Sequence, residues 1–308
     1  MNSIAIIDLG TNTFHLLIAE ISRQKPKVIF QQTIAVKLGE GGMRDGLIKV
    51  SAFERGVSAL VQFKKSIDLH KAVQVKAIAT SALRSASNGD AFISRVQDET
   101  EIEIEIIDGN REAELIYFGV RTAIRMNGQS SLIIDIGGGS VEFIICDQDQ
   151  IFWKKSFDIG AARLMDQFHK SDPISESNKH ELQSFLNSVL DDLKIHLEIF
   201  KPIQLIGSAG AFETFAGMID PEFRILFEKP ECTIDLNQFE KIATFIIGSN
   251  HEERAITASI PAVRVDMIVV ATLLTRYILN IYEFKALKLS TYSMKEGVLF
   301  EINSQFHA

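Results

Sequence analysis

At 308 residues the chain exceeds the usual length of one domain, and two domains of ordinary size are expected. A hydrophobic fraction of 46% and a charged fraction of 23% are those of a folded soluble protein, and a net charge of −8 argues against the broad basic face that non-specific nucleic-acid binding needs. The two cysteines, Cys146 and Cys232, stand far apart and outside any metal-ligand spacing, which argues against a disulfide framework or a zinc site and points to a reducing cytoplasm.

Met1 leads straight into the apolar segment Ile4 to Leu9, with no basic leader or small-residue cleavage site, so neither export nor membrane association is expected. That segment is the first predicted strand. It runs into Asp8, Leu9, Gly10 and the small residues Thr11, Asn12 and Thr13, and a second apolar strand continues through Phe14 and His15 to Ile18. A third strand over Lys27 to Val36 precedes a loop containing Gly39, Gly41 and Gly42. A helix over Ser51 to Ile67 follows, with Phe53, Leu60 and Phe63 on one face. After a strand at Val73 to Ala79, Thr80 and Ser81 are expected to cap a short helix, and Asp90 to open another. Strict alternation from Glu101 to Ile106 predicts an edge strand with one wet face. A helix beginning after Gly109-Asn110 runs to about Ile124.

The second half repeats this order. Strands Leu132 to Ile136 and Val141 to Asp147 flank Gly137-Gly138-Gly139, and a third runs through Ile151 to Phe157. Helices are expected at Ala161 to Phe168, at Ser175 to Phe200 as one piece ending before Pro202, and at Ala211 to Met218 after a strand at Ile203 to Gly207. A long apolar helix is expected to start at Pro261, and strand Ala286 to Ser290 and helix Met294 to Asn303 end the chain. The two hairpins match as Asp8 with Asp135, Gly10 with Gly137, and Thr13 with Ser140. Such an internal repeat implies related domains, placed at residues 1–124 and 125–308, with the polar segment Gly128-Gln129-Ser130 near the junction and the last helix packing back on it.

Three successive glycines let backbone N–H groups crowd around an anion, and a carboxylate on each side, Asp135 and Glu142, suits a divalent metal or an activated water. A glycine-rich hairpin with incidental acids explains the same residues. The first copy of the motif and the position of Glu112, in the opening turn of the helix that leads to the junction, favour the phosphate cradle; the helix macrodipole favours a carboxylate there, suited to act as a base. Positive charge for a polyanion has to be local. Arg84, Arg111, Arg121, Arg125, Lys154, Lys155, Arg163 and Arg264 are the candidates, each by itself read first as a solvated surface charge. His15 is read as a hydrogen-bonded structural residue, and Gly207-Ser208-Ala209-Gly210 suits a nucleotide or phosphate as well as it suits a tight turn.

Two units of the order β-β-β-α-β-α-β, each led by an Asp-x-Gly hairpin, resemble the actin-like ATPase superfamily: α/β architecture, with two ribonuclease H-like domains flanking an interdomain cleft. A closer resemblance rests on Asp8-Leu-Gly-Thr-Asn-Thr-Phe-His15, Ala79-Thr-Ser-Ala-Leu-Arg84, Gly109-Asn-Arg-Glu-Ala113, Asp135-Ile-Gly-Gly-Gly-Ser-Val-Glu142 and Gly207-Ser-Ala-Gly210. In this order they are similar to the motifs of the exopolyphosphatase/guanosine pentaphosphate phosphohydrolase family. The resemblance implies that Glu112 activates the attacking water and that Asp135 and Glu142 hold Mg²⁺, with Mn²⁺ as an alternative, or position the water; Asp8 is a further candidate metal ligand. It implies phosphate contacts from Gly10, Thr11 and Asn12, from Gly137, Gly138, Gly139 and Ser140, and from Arg84 and Arg264.

Two departures stand out: Arg111 replaces a customary acid and Lys295 a customary arginine. No His-Asp dipeptide occurs in the chain, so the resemblance implies a short-form member lacking the added helical domain. The expected activity is Mg²⁺-dependent removal of terminal phosphate from inorganic polyphosphate, by a cytoplasmic homodimer. Alternatives are 5'-phosphate hydrolysis of guanosine pentaphosphate, a non-catalytic sensor that binds polyphosphate or guanosine penta- or tetraphosphate, and a small-molecule kinase of the same fold.

Overall fold

The structure, a computed structural model, describes residues 3–22, 26–126, 128–222 and 230–305. Two compact units compose it: Met1–Gly119 with Met294–Ala308, and Val120–Ser293. The division falls inside helix α4 (Gly109–Ala123) and not after residue 124, and α12 (Met294–Gln305) counts with the first unit. Polar break signals such as Gly128 mark where a helix has ended, whereas membership of a unit depends on which core a side chain enters.

In the first unit β1 (Ser3–Leu9), β2 (Thr13–Glu20), β3 (Lys27–Ala35), β4 (Gln74–Ala79) and β5 (Ile104–Ile106) form a sheet in the order β3-β2-β1-β4-β5. β1 is antiparallel to β2 and parallel to β4, which is parallel to β5. The unbroken apolar run of β1 is that of a strand covered on both faces. Ala5, Ile7 and Leu9 join one core with Leu60 and Phe63 of α1 (Val50–Leu69) and Phe92 and Val96 of α3 (Gly89–Thr100), and α12 packs against β1.

The second unit's sheet has the order β10-β11-β9-β6-β7-β8, built from β6 (Ser131–Ile136), β7 (Val141–Cys146), β8 (Ile151–Phe157), β9 (Gln204–Ser208), β10 (Glu231–Ile234) and β11 (Ala286–Ser290). All six residues of β6 and all six of β7 are buried, which makes these the central strands that their sequences suggest. Helices α5 (Ala161–Phe168), α8 (Gly210–Ile219), α9 (Leu236–Gly248) and α11 (Met267–Ile281) close the core around Leu164, Phe212, Phe239 and Leu274. Among the described residues no helix is long and apolar enough to cross a membrane.

Several local expectations are corrected. The strand expected over 101–106 forms only as β5, because Glu101 adopts the left-handed conformation (φ 60°) and closes α3 through its N–H to Gln97 O at 2.9 Å. It does lie at the sheet edge. Thr80 precedes α2 (Ser81–Ser85) without a side-chain cap. The helix expected over 175–200 is two, α6 (Glu176–Val189) and α7 (Asp191–Phe200), broken at Leu190; Asp191 and Asp192 then open α7, where the macrodipole favours acids. Ser175 caps α6 as expected, accepting from Asn178 N at 3.2 Å. The helix expected from Pro261 starts at Met267 instead; residues 262–266 are turns, and Arg264 N donates to Pro261 O at 2.8 Å.

Candidate active site

In the first unit the expected site residues gather at the carboxyl ends of the parallel strands, the usual ligand edge of an open α/β sheet. The Gly10-Thr11-Asn12 turn is fixed by its carbonyls: Asn12 O accepts from Val36 N at 2.9 Å and Lys37 N at 2.8 Å, and Thr11 O accepts from Gly39 N at 3.2 Å. Asp108 caps α4 by accepting from Arg111 N at 2.8 Å, which sets Glu112 on the first turn, 8% exposed. Arg84, the last residue but one of α2, reaches across with Nη1 to Ile107 O at 3.0 Å and to Glu112 Oε2 at 3.3 Å. The expected base and the expected phosphate-binding arginine are therefore an ion pair. Beside them the Ser81 hydroxyl is buried with no hydrogen-bond partner among the described residues, though its residue type suggested a helix cap.

Arg111, where the resemblance leads one to expect an acid, binds acids instead. Its guanidinium donates to Glu114 at 3.1 Å and twice to Glu301 of α12, at 2.6 and 2.5 Å. Burial opposes its charge, but the bonds to Glu301 and Glu114 outweigh that and push its pKa above the ordinary value. It ties α4 to α12. His15 bonds through both ring nitrogens to threonine hydroxyls, Thr13 at 2.9 Å and Thr33 at 3.0 Å, the structural role expected for it.

In the second unit the sheet register makes a row of four polar residues across four strands. Ser208 on β9 pairs with Asp135 on β6, Asp135 with Glu142 on β7, and Glu142 with Ser156 on β8. Asp135 is 8% and Glu142 1% exposed. Ser208 Oγ donates to Asp135 Oδ2, and Ser156 Oγ donates to Glu142 Oε1 at 2.7 Å. The repeat carries the same row in the first unit as Ile78, Asp8, His15 and Thr33, so the position of the second acid is taken there by a histidine.

Between Asp135 and Glu142 the glycine turn is set from behind by α5. Gly137 O accepts from Ala161 N at 2.8 Å, Gly138 O from Ala162 N at 2.9 Å, and Gly139 O from Gly160 N at 3.3 Å and from Arg163 Nε at 2.8 Å. In a trans peptide the N–H points opposite to the C=O. With three carbonyls turned onto α5, the amides of Gly138, Gly139 and Ser140 face the other way, as an anion nest requires. At a net of about 1 kcal/mol per bond, these contacts hold the turn in place. Gly160 is indispensable: a Cβ there would lie 2.4 Å from the backbone of Gly138 and Gly139. Neither Gly160 nor the role of Arg163 follows from the hairpin motif; the signal was the small-residue helix start Gly160-Ala161-Ala162 with an arginine next to it.

Arg264 lies against the Gly210 backbone at the start of α8, with Nη1 3.3 Å from Thr214 Oγ1 and Nη2 3.2 Å from Glu213 Oε2. It is thus placed one strand-end from Ser208. Lys155, by contrast, pairs with Asp192 at 2.8 Å on the surface of the unit.

The acid pair suits magnesium. Two buried carboxylates directly opposite each other repel, and Mg²⁺ takes one or two carboxylates while filling its octahedron with water and phosphate oxygens. Among the described residues no group of three or more His, Cys, Asp or Glu side chains forms a self-sufficient metal cage, so an ion at Asp135 and Glu142 would depend on such oxygens. Asp8 belongs to the other unit, in line with His15.

The sequence profile of the Ppx/GppA phosphatase family matches residues 17–306. A crystal structure of an exopolyphosphatase from Cytophaga hutchinsonii superposes with a TM-score of 0.96 at 40% identity, covering 99% of this chain and 98% of that one. A putative exopolyphosphatase of Haemophilus influenzae is 27% identical over 99% of this chain and 93% of its own length. A guanosine-5'-triphosphate,3'-diphosphate pyrophosphatase of Pseudoalteromonas translucida is 31% identical over 62% of this chain and 38% of its own length.

Proposed function

This chain belongs to the Ppx/GppA phosphatase family, and on that premise we propose that it removes terminal phosphate from inorganic polyphosphate with the help of Mg²⁺. The observation that carries the reading is the glycine turn bracketed by two buried, facing carboxylates. Hydrolysis of a phosphoanhydride asks little covalent chemistry of a protein: it needs a positioned water and neutralisation of charge on the equatorial oxygens. The amides of Gly138, Gly139 and Ser140 donate to phosphate oxygens. Asp135 and Glu142 would hold the metal, which when bound adds positive charge at the same oxygens.

Glu112 would take a proton from the attacking water, and Arg84 Nη1 donates to its carboxylate. A guanidinium has five N–H donors, so Arg84 can hold Glu112 and a phosphate oxygen together. Hydrolysis of the 5'-terminal phosphate of a guanosine pentaphosphate requires the same reacting group, and the likeness to the Pseudoalteromonas translucida enzyme makes it the second reading.

The test is phosphate release by purified protein with Mg²⁺, from short polyphosphate, long polyphosphate and guanosine pentaphosphate in parallel. Release from polyphosphate with the higher kcat/KM is expected; release from none of the three would sink the proposal. Glu112→Gln is expected to lower kcat by at least 10²-fold while polyphosphate binding persists, and a kcat near wild type would remove Glu112 from the mechanism.

A further inference from the structure

The geometry points to Ser156 as a positioning residue that sets the carboxylate of Glu142 for metal binding, with Ser208 doing the same for Asp135 at the other end of the row. This rests on the reading of Asp135 and Glu142 as metal ligands. A glutamate has three side-chain torsions, and Glu142, at 1% exposure, has almost no water to fix its head group. A buried charge needs hydrogen-bond partners in place of that water. Ser156 supplies one: it is the register partner of Glu142 on β8, the edge strand of the sheet, and its Oγ donates to Oε1 at 2.7 Å. Ser208, itself fully buried, donates to Asp135 Oδ2 from β9.

The two serines bracket the two acids in one line across four strands. Each binds one identified oxygen, so each restrains the rotation of its carboxylate and thereby where the pair can meet an ion. Outer partners of this kind decide ligand orientation at metal sites, and their loss costs 10- to 100-fold in affinity or activity. Ser156 lies fourteen residues from Glu142, outside the glycine motif, and only the strand register brings the two together.

The experiment measures Mn²⁺ binding to substrate-free protein by electron paramagnetic resonance, and repeats it with tripolyphosphate present, for wild type, Ser156→Ala, Ser156→Thr and Ser208→Ala. Circular dichroism checks the fold of each. Ser156→Ala is expected to weaken Mn²⁺ binding about tenfold, to raise by a similar factor the Mg²⁺ concentration for half-maximal phosphate release, and to leave KM for polyphosphate at saturating metal unchanged. Ser156→Thr is expected to restore metal affinity, since a β-branched hydroxyl suits a half-buried edge strand. Equal affinity in wild type and Ser156→Ala, or an alanine defect that threonine does not restore, overturns the inference. So does the absence of Mn²⁺ binding by wild type under both conditions. A wild type that binds Mn²⁺ but releases no phosphate overturns the hydrolase reading alone, leaving the serine dependence to be decided by the resonance measurement.

Discussion

Arg84 serves two neighbours through one nitrogen, the Ile107 carbonyl and the Glu112 carboxylate. Arg84→Ala removes a charge-assisted bond from a nearly buried acid and a donor from the expected phosphate path. A fall in kcat/KM of about 10²-fold, roughly 2.7 kcal/mol, is expected, with Arg84→Lys recovering only part because a lysine cannot bind two partners in one plane. Steady-state kinetics on short polyphosphate checks this; an unchanged kcat/KM would place Arg84 outside the reaction. Ala209 carries a different load. It precedes α8 with φ 66° and ψ −178°, a region that only glycine occupies without strain, and it stands between Ser208 and the Gly210 backbone on which Arg264 lies. Relief of about 1–3 kcal/mol of strain exceeds the 0.4–1 kcal/mol of unfolded-chain entropy that a glycine adds. Ala209→Gly is therefore expected to raise Tm by about 2 °C, and a lower Tm in differential scanning calorimetry would show that the alanine is not strained.

At the scale of elements, the end of α5 is the pH-sensitive point of the second unit. His169 follows α5 with its side chain nearly buried, Nε2 3.5 Å from Asp172 Oδ1, and Arg254 binds the same carboxylate at 3.0 Å. Burial, seconded by the Arg254 charge, holds the imidazole below its ordinary pKa despite Asp172. The unfolded chain takes up a proton near pH 6.5 that the folded protein refuses, so stability is complete above about pH 6.5 and falls as pH drops through it. For Asp172 burial acts to raise the pKa, but Arg254 outweighs it and the net direction is down. That stabilisation is present above about pH 3.9 and is lost below it. Tm should be flat between pH 7 and 8 and decline from about pH 6.5 towards 5. His169→Gln should flatten that upper part of the decline and leave the steeper loss near pH 4; identical profiles for the two proteins would show that His169 does not carry the effect.

At the scale of the whole molecule, the chain leaves the first unit after Gly119 and returns to it at Met294. Helix α12 closes that unit. A Cβ on Gly297 would lie 1.7 Å from Leu115 O, so α12 and α4 touch backbone to backbone, and Arg111 and Glu301 clasp them near Glu112. Val298, Leu299 and Ile302 are buried as well. Removing residues 294–308 strips four buried apolar side chains, Met294, Val298, Leu299 and Ile302, at about 1.5–3 kcal/mol each, from a unit of ordinary marginal stability. The truncated protein is expected to lose phosphate release and to lose protection of the first unit in hydrogen exchange. Wild-type exchange across β1 and α4 would mean that α12 is dispensable.

The local pattern was legible from the chain alone. The alternation of apolar strands and glycine turns, the repeat of Asp8-x-Gly10 in Asp135-x-Gly137, and Glu112 in a helix's first turn all depend on neighbours a few residues away, and such short-range patterns survive without coordinates. What lay beyond reach depends on contacts between distant segments. The carbonyls of the glycine turn are claimed by Gly160 to Arg163, Glu142 is held by Ser156, and Arg84 is spent partly on Glu112. Arg111 is paired with Glu301, 190 residues along the chain. Sequence spacing determined which residues could bind phosphate or metal; strand register and helix packing, which no local pattern encodes, decided which of them hold one another in place.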